Sequence, residues 1–527
     1  MQAWQAHRGP WKVRRPARLQ QEISDFGEAG LLPAARRPDQ ALWRRRPAPA
    51  RQFRQADTLA PGILWSDGTP LTAADVVFTW EYCAHPEGGC AQAARMQGIA
   101  AVEALDDRQV RITFDEPRPF PFVSFVGGQT PILQRAQFAD CLGPRAPQCT
   151  AQNFGPIGTG PFVVTEFRTN DVISLAANPN YRDPAKPHFA SMTFKGGGDA
   201  EGAARAVLQT GEFDYAWNLL VPPEVLADMA AAGQGRLVSA FGTLVERIEV
   251  NLTDPSPRLP EGERSTTRHP HPFLSDKPVR AALSMALDRG LLAEVGFGPA
   301  GRPTCDIIPG PAHYAAGNTA CLVQDIAGAN ALLDAAGWVM GADGVRSREG
   351  VRLSLLFQSS TNAIRQDFQA LIKDWWRQIG VETALKNVPG SVFFGGDPGS
   401  PDTFQKFYSD VLMYAIDFDG TDPESFLAVY TCAKIPGPAT QWQGANVNRI
   451  CDPTYEAKLA ELSRTADPAK RRELAIWMND FTTVDNFFVI PLVNRGRISA
   501  HANSLGGVIL NTWDSELWNV ADWHRIP

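Results

Sequence analysis

Hydrophobic positions along the second half of the chain alternate between helical and strand-like spacing. Residues 362–379 place apolar side chains three and four positions apart, as an amphipathic helix requires. An apolar run at 353–357 precedes this stretch, and Gly380 separates it from a second run at 381–385. The succession predicts a strand, a helix and a strand, and so an α/β domain.

The first half shows the same mixture of periods. Thr72 with Asp75 three residues on predicts a capping box and a helix that begins there. Residues 102–114 read as two strands around an Asp-Asp turn, with alternate apolar residues on the second strand. Residues 275–289 place small and apolar side chains on one face and predict another amphipathic helix.

One stretch combines a strand signal with clustered acids. The apolar run that starts at Val411 leads into Asp417, Asp419, Asp422 and Glu424. Such a cluster suits metal binding, general acid/base chemistry or capture of a cationic group. An EF-hand calcium loop that starts at Asp417 fails on spacing, because its sixth residue is Asp422 instead of glycine and its twelfth is alanine.

Composition limits the functional classes. A chain of 527 residues with 44% hydrophobic content exceeds one core, so two or three domains are expected. The net charge of -7 argues against a nucleic-acid surface. The sequence lacks GxSxG, P-loop and HExxH motifs, which weakens an enzymatic reading, and suggests no cofactor and no metal. No apolar run has the length that a membrane-spanning helix needs.

The eight cysteines fall in four close sequential pairs with long gaps between them: Cys83 and Cys90, Cys141 and Cys149, Cys305 and Cys321, Cys432 and Cys451. The spacing does not fit CxxC metal sites. It predicts four local disulfides, with eight free buried thiols as the alternative. Disulfides would indicate an oxidising compartment.

The N-terminal segment 1–60 has a different character from the rest of the chain. It holds 12 Lys and Arg against 5 Asp and Glu, is rich in proline and alanine, and shows neither helical nor strand period. No secretory signal pattern is visible in it. We therefore expect that it is not part of the native fold, and that a wrong start or a shifted reading frame has replaced the signal peptide.

Several motifs in a fixed order together resemble one family, the extracytoplasmic solute-binding proteins of ABC importers, family 5. The matching segments are WSDGTPLTAADVVFTW at 65–80, IGTGPF at 157–162, NPNY at 178–181, TGEFD at 210–214, VRAALSMALDR at 279–289, DPTY at 452–455 and VIPL at 489–492. Each motif is weak alone, but the ordered set covers residues 61–527.

The resemblance implies a fold. It is α/β, a two-lobed periplasmic binding protein of type II, with an extra subdomain in the first lobe and a ligand cleft between the lobes. Residues 61–272 and 495–527 would form the first lobe, with the subdomain at about 65–155. Residues 273–494 would form the second lobe. Hinge closure around a ligand is the usual mechanism of such proteins.

The resemblance also implies a function and a site. The chain would capture a peptide or peptide-like solute in the periplasm and deliver it to an ABC permease as a monomer, without binding nucleic acid. Asp417 best matches the family's ammonium anchor, with Asp419 as a rival and Tyr414 and Phe418 beside it. The family usually runs directly into a proline-containing turn, whereas here DGTD separates the site from Pro423.

A second hypothesis is a carboxylate-dependent hydrolase. Two of Asp417, Asp419 and Asp422 would act as acid and base in the cluster at 417–424. Turnover of a bound peptide, detected by mass spectrometry, distinguishes this hypothesis from a receptor that only binds.

Overall fold

The structure is a computed structural model. It describes residues 43–45 and 54–526, apart from 89, 91–92, 97, 117, 119–123, 126–129, 169–170, 197, 418–420 and 513. Two of the predicted site residues, Phe418 and Asp419, lie outside the described residues.

The strands of the described part are, in chain order, β1 (Trp43–Arg45), β2 (Arg54–Leu59), β3 (Ile99–Ala104), β4 (Gln109–Phe114), β5 (Phe162–Arg168), β6 (Val172–Ala177), β7 (Ser191–Lys195), β8 (Tyr215–Ala216), β9 (Gly235–Ala240), β10 (Val245–Val250), β11 (Gly301–Pro303), β12 (Val339–Met340), β13 (Arg346–Arg348), β14 (Val351–Arg352), β15 (Ser354–Ser360), β16 (Glu382–Val388), β17 (Val411–Ile416), β18 (Val489–Arg495), β19 (Arg497–Ala502), β20 (Leu505–Gly506) and β21 (His524–Arg525). The α-helices are α1 (Ala73–Ala84), α2 (Arg135–Phe138), α3 (Thr150–Phe154), α4 (Ala200–Leu208), α5 (Pro223–Ala230), α6 (Lys277–Met285), α7 (Arg289–Phe297), α8 (Ile326–Ala335), α9 (Ala363–Gln378), α10 (Gly390–Phe393), α11 (Glu424–Leu427), α12 (Pro453–Arg464) and α13 (Pro468–Asp480).

The largest sheet has the order β11-β18-β10-β17-β15-β16, and we call the part of the chain built on it the second lobe. α9 connects β15 to β16, which pair in parallel, so the predicted strand, helix and strand unit is confirmed. One face of the sheet packs on α6, α7 and α9 in the largest hydrophobic core. The other face is covered by α12, α13 and the segment 388–407.

The first lobe holds four smaller antiparallel sheets, in the orders β1-β2-β4-β3, β5-β6-β7, β8-β19-β9 and β20-β21. The first of these sheets encloses, with α1, a hydrophobic core of its own. The predicted capping box of α1 is confirmed, because the Thr72 N–H donates to the Asp75 carboxylate at 2.9 Å. The hairpin expected at 102–114 is β3 and β4.

Two segments cross between the lobes. The chain passes from β9 to β10 through residues 241–244, and it returns from β18 to β19 through Gly496. The crossings run side by side, since the Asn494 amide donates to the carbonyls of Gly242 at 3.1 Å and Leu244 at 3.0 Å. A side chain at Gly496 would begin 3.4 Å from the carbonyl oxygen of Ala240. The crossings therefore form a compact double hinge.

Two expected boundaries differ from the sheet topology. β10 pairs with β17 and β18, so the second lobe begins well before the expected residue 273. β2 pairs with β4, and Asp57 and Leu59 are buried, so the fold begins before the expected residue 61. Both differences have the same origin, because contacts between distant segments, and not a local sequence pattern, decide which strands pair with one another. The return at 495–497 lies close to the expected boundary.

The helix predicted over residues 275–289 is present as α6, but it is shorter than expected. α6 ends at Met285, and α7 begins at Arg289 with Asp288 as its N-cap. The Asp288 carboxylate accepts from the Leu291 N–H at 2.9 Å, which starts a new helix in place of the old one. The buried Arg289 side chain fixes the break, because its guanidinium donates to the carbonyls of Ser284 and Pro491.

All four predicted disulfides are present. They join Cys83 to Cys90, Cys141 to Cys149, Cys305 to Cys321 and Cys432 to Cys451, with Cα–Cα distances of 4.6 to 5.8 Å. The bonds staple short loops in both lobes. The alternative of eight free thiols is therefore wrong.

Candidate functional site

The acidic stretch begins where a buried strand ends beside the hinge. β17 lies in the middle of the second-lobe sheet, and its residues are buried up to Ala415. Asp417 follows the strand directly, and its side chain is 25% exposed. A carboxylate in this position is partly desolvated yet reachable from outside, which suits binding of a cation.

Arg497 from the first lobe pairs with Asp417. It is the first residue of β19, directly after the hinge glycine, and its guanidinium donates to an Asp417 carboxylate oxygen. The same guanidinium also donates to the carbonyl oxygen of Asp514 at 3.0 Å. The Arg497 side chain is 18% exposed, so the pair is only partly shielded from solvent. This ion pair joins the two lobes across the hinge.

Asp422 and Glu424 belong to a different cluster. Arg471 of α13 holds Asp422 with two nitrogens, at 2.7 Å and 3.1 Å, and reaches Glu424 at 3.0 Å. The Tyr314 hydroxyl donates to Asp422 at 2.9 Å, and burial, with Asp422 beside it, raises the pKa of Tyr314 to about 12. The side chains of Arg471 and Asp422 are almost fully buried. The two acids thus fasten the segment after Asp417 to α13.

The structure therefore separates the predicted cluster into parts. Asp417 and Asp422 are each held by a different arginine, so they do not form an acid and base pair. Tyr414 lies on β17, three residues before Asp417, and it is buried against Phe393, Phe394 and Phe404.

A second group of charges lies on the face of the sheet that Tyr414 occupies. Arg247 of β10 is directly opposite Tyr414, and Glu249 is two residues further along the same strand. The Arg247 Nε lies 2.7 Å from a Glu249 oxygen, and each side chain is 1% exposed. Burial lowers the pKa of Arg247, but Glu249, Tyr430 and Tyr414 together more than offset this effect, so the pKa is raised. Tyr430 completes the group, which we call the inner charge cluster: Arg247, Glu249, Tyr414 and Tyr430.

A buried ionic network lies at the hinge itself. Glu246 of β10 accepts from Arg365 of α9 at 2.6 Å and lies 3.4 Å from the Nε of Arg495. Arg495 donates in turn to the Asn218 side chain of the first lobe at 3.1 Å. Burial lowers the pKa of Arg495 to about 10, and Glu246 opposes that shift. The network links both lobes through the last residue of β18.

The first-lobe side of the hinge carries one buried carboxyl group. Glu516 accepts from the Ser499 hydroxyl at 2.5 Å and from the Tyr215 hydroxyl. Burial raises the pKa of Glu516, and the neighbouring Arg497 partly opposes that effect. Glu516 therefore links Tyr215 of β8 to Ser499 of β19, and β19 is the strand that carries Arg497.

The sequence pointed to Asp417 as a candidate anchor, but it did not indicate the partners that other elements supply. Glu246, Arg247 and Glu249 lie in the middle of β10, and no role was predicted for them. Three charged residues in a central strand are unusual, because such strands are otherwise apolar. That irregularity was a usable signal. Arg497 carried no comparable local signal.

The histidines at 269 and 271 do not form a metal site. His269 contacts Glu263 at 2.8 Å, and His271 contacts Asp410 at 2.8 Å. Among the described residues, no group of three or more His, Cys, Asp or Glu has the arrangement to hold a metal ion. In the same part of the chain, no helix is long and apolar enough to cross a membrane.

The fold is that of type II periplasmic binding proteins. The structure of NikZ from Campylobacter jejuni in complex with Ni(L-His) superposes with a TM-score of 0.76 at 19% identity, covering 92% of this chain and 93% of that one. The oligopeptide-binding protein AppA from Bacillus subtilis, in complex with a nonapeptide, gives a TM-score of 0.75 at 19% identity, covering 92% and 90%. The predicted fold class is confirmed.

The chain belongs to the bacterial extracellular solute-binding proteins, family 5, whose family model matches residues 58–436. A putative ABC transporter peptide-binding protein from Brucella ovis is 25% identical over 415 residues, which are 77% of this chain and 70% of that protein. Matches to curated relatives span 56% to 79% of their own lengths. The chain is thus the substrate-binding receptor of an ABC importer, and the hydrolase alternative is not supported.

Proposed function

We propose that the receptor encloses a peptide or peptide-like solute and that Asp417 binds its α-ammonium group. The observation that carries this proposal is the position of Asp417, at the end of a central strand, beside the double hinge, and already paired with a cation from the opposite lobe. A site that holds a guanidinium also suits an ammonium group. The peptide-binding relative and the nonapeptide complex of AppA support the choice of ligand class.

Binding in this proposal is an exchange of cations. When the lobes open about the hinge, Arg497 moves with β19 and leaves Asp417 to the solute. The solute ammonium then takes the place of the guanidinium, while Arg497 keeps its contact with the carbonyl of Asp514. Since the carboxylate is partly desolvated, the new pair forms a charge-assisted hydrogen bond stronger than one in open water.

The partners follow from the family. We propose that the closed receptor is a monomer, acts in the periplasm, delivers its solute to a membrane permease, and releases that solute chemically unchanged. Incubation with a bound peptide followed by mass spectrometry tests the last point, because a cleaved product would contradict it. Size-exclusion chromatography with light scattering tests the monomer.

Calorimetric titration with trialanine tests the anchor. Asp417→Asn removes the charge and keeps the shape, and the loss of a buried charge partner should weaken binding by about 2 to 5 kcal/mol. The melting temperature of the unliganded protein should change little, because the carboxylate is partly exposed and such ion pairs contribute about 1 kcal/mol or less.

Glu473→Gln is the matched control for this titration. Glu473 is an exposed carboxylate on α13 that, within the described part of the chain, forms an ion pair with Lys470 of the same helix. Its substitution should leave trialanine binding unchanged. Equal trialanine affinity in the Asp417→Asn variant and in the wild type would refute the assignment of the anchor.

A further inference from the structure

The inner charge cluster contains polar atoms that the rest of the described chain does not satisfy. Among the described residues, Arg247 Nε and Nη1, both carboxylate oxygens of Glu249 and the Tyr430 hydroxyl have no hydrogen-bond partner. Arg247 and Glu249 are close enough for an ion pair, but the N–H direction does not meet hydrogen-bond geometry. All three side chains are at least nine-tenths buried.

This arrangement is costly for a purely structural element. A buried polar group without a partner loses its hydrogen bonds to water and gains none in return, which destabilises the fold. Apolar residues of similar volume often replace a buried ion pair without loss of stability. The other face of β10 shows the alternative, because Ile248 and Val250 pack there in the main core. Violations of local packing rules of this kind are expected at functional sites.

The cluster lies close to the proposed ammonium anchor. Arg247 is opposite Tyr414 of β17 in the strand register, and Tyr414 lies three residues before Asp417, which follows the end of that strand. Three residues of extended strand span about 10 Å. The segment that follows the acidic stretch covers the cluster, since the Phe426 ring centroid lies 5.4 Å from the Arg247 guanidinium carbon. A peptide whose N-terminus is held at Asp417 would span this distance with its first two or three residues.

We propose that Arg247, Glu249 and Tyr430 form a subsite for an uncharged group of the solute that both donates and accepts hydrogen bonds, of which a carboxamide is the type case. This inference rests on the proposed function and names the chemistry of one part of its ligand. A carboxamide oxygen accepts from Arg247 Nη1, and its two N–H bonds donate to the Glu249 oxygens. The Tyr430 hydroxyl can donate a hydrogen bond to the carboxamide oxygen or accept one from the carboxamide N–H.

The charges of the cluster disfavour a charged group of the solute at this position. The cluster carries one positive and one negative side chain, so its net charge is zero. A carboxylate on the solute would pair with Arg247 but would be repelled by Glu249. An ammonium group would pair with Glu249 but would be repelled by Arg247. Either would bring an unbalanced charge into a buried site, which is strongly unfavourable. An apolar group would leave the polar atoms of the cluster unpaired.

The test uses alanine tripeptides in which one residue at a time is Gln, Glu or Met, three side chains of similar size. Calorimetric titration of the wild-type protein should show, at one peptide position, that Gln binds at least about tenfold more tightly than Glu and Met, because a site built for hydrogen bonds rejects analogues that lack them. Glu473→Gln serves as the control variant and should keep this preference.

Two variants in the cluster test its role. Glu249→Gln leaves Arg247 as the unbalanced charge, so the preference should reverse and the Glu peptide should bind more tightly than the Gln peptide. A purely structural role would not reverse it. If circular dichroism shows that this variant does not fold, Arg247→Met with Glu249→Met replaces it, and the Gln preference should disappear.

Each outcome has a distinct meaning. Peptides that bind without a Gln preference, or a preference that survives in the cluster variants, would overturn this inference and leave the proposed function standing. If no tripeptide binds the wild-type protein at all, the proposed peptide ligand fails and the subsite fails with it.

Discussion

Removal of Arg497 should strengthen solute binding. In the unliganded protein its guanidinium occupies Asp417, so a solute ammonium group must displace it. Both side chains are partly exposed, and ion pairs in this range contribute about 0.2 to 1 kcal/mol after solvent screening. Arg497→Met should therefore increase the affinity for trialanine by up to about fivefold, since 1.4 kcal/mol corresponds to about tenfold.

A double-mutant cycle by calorimetry checks this reasoning. In the Asp417→Asn variant there is no carboxylate at position 417 for which the Arg497 guanidinium and the solute ammonium group compete. Arg497→Met should therefore have no effect on trialanine affinity in that variant. Arg525→Met is the matched control, because Arg525 forms a more exposed ion pair with Asp214 in the first lobe. Weaker binding by Arg497→Met in the wild-type background would refute the exchange and would indicate that Arg497 itself contacts the solute.

Three further predictions concern stability. Asp422→Asn leaves Arg471 buried with a weakened partner and should cost about 3 to 5 kcal/mol in urea unfolding; an unchanged midpoint would contradict the structural role given to this pair. Replacing both Cys432 and Cys451 with serine should cost about 3 kcal/mol by the chain-entropy estimate, and alkylation of the unreduced wild-type protein should label no thiol, so labelling of eight would refute the four disulfides. Because burial raises the pKa of Glu516, the stability that its neutral form supports is present below its unfolded pKa of 4.5 and is lost as pH rises through the higher folded value; Glu516→Gln should flatten this part of the pH profile, and an identical profile would contradict the shift.

Local signals in the sequence were sufficient for much of the fold. The capping box at Thr72, the periodicity of residues 362–379 and the short spacing of the cysteine pairs each involve residues close in the chain. Their physical causes, helix capping, amphipathic burial and loop closure, act over the same short range. The corresponding elements are present in the structure, with bounds that differ by a few residues.

Contacts between distant segments were not predictable in the same way. Asp417 pairs with a residue 80 positions away, and Asp422 with one 49 positions away. The acidic stretch therefore looked like one cluster, whereas the structure distributes its members between Arg497 and Arg471. The position of β10 in the second lobe depends equally on long-range pairing. The charged residues of that strand were the one local sign of the inner charge cluster.

The most direct test of the ammonium anchor compares trialanine with N-acetyl-trialanine by calorimetric titration of the wild-type protein. Acetylation removes the charge and leaves the rest of the peptide intact. If Asp417 binds the ammonium group, acetylation should weaken binding by about 30-fold or more, which corresponds to the lower limit of about 2 kcal/mol for a lost charge partner. Equal affinity for the two peptides would contradict the assignment.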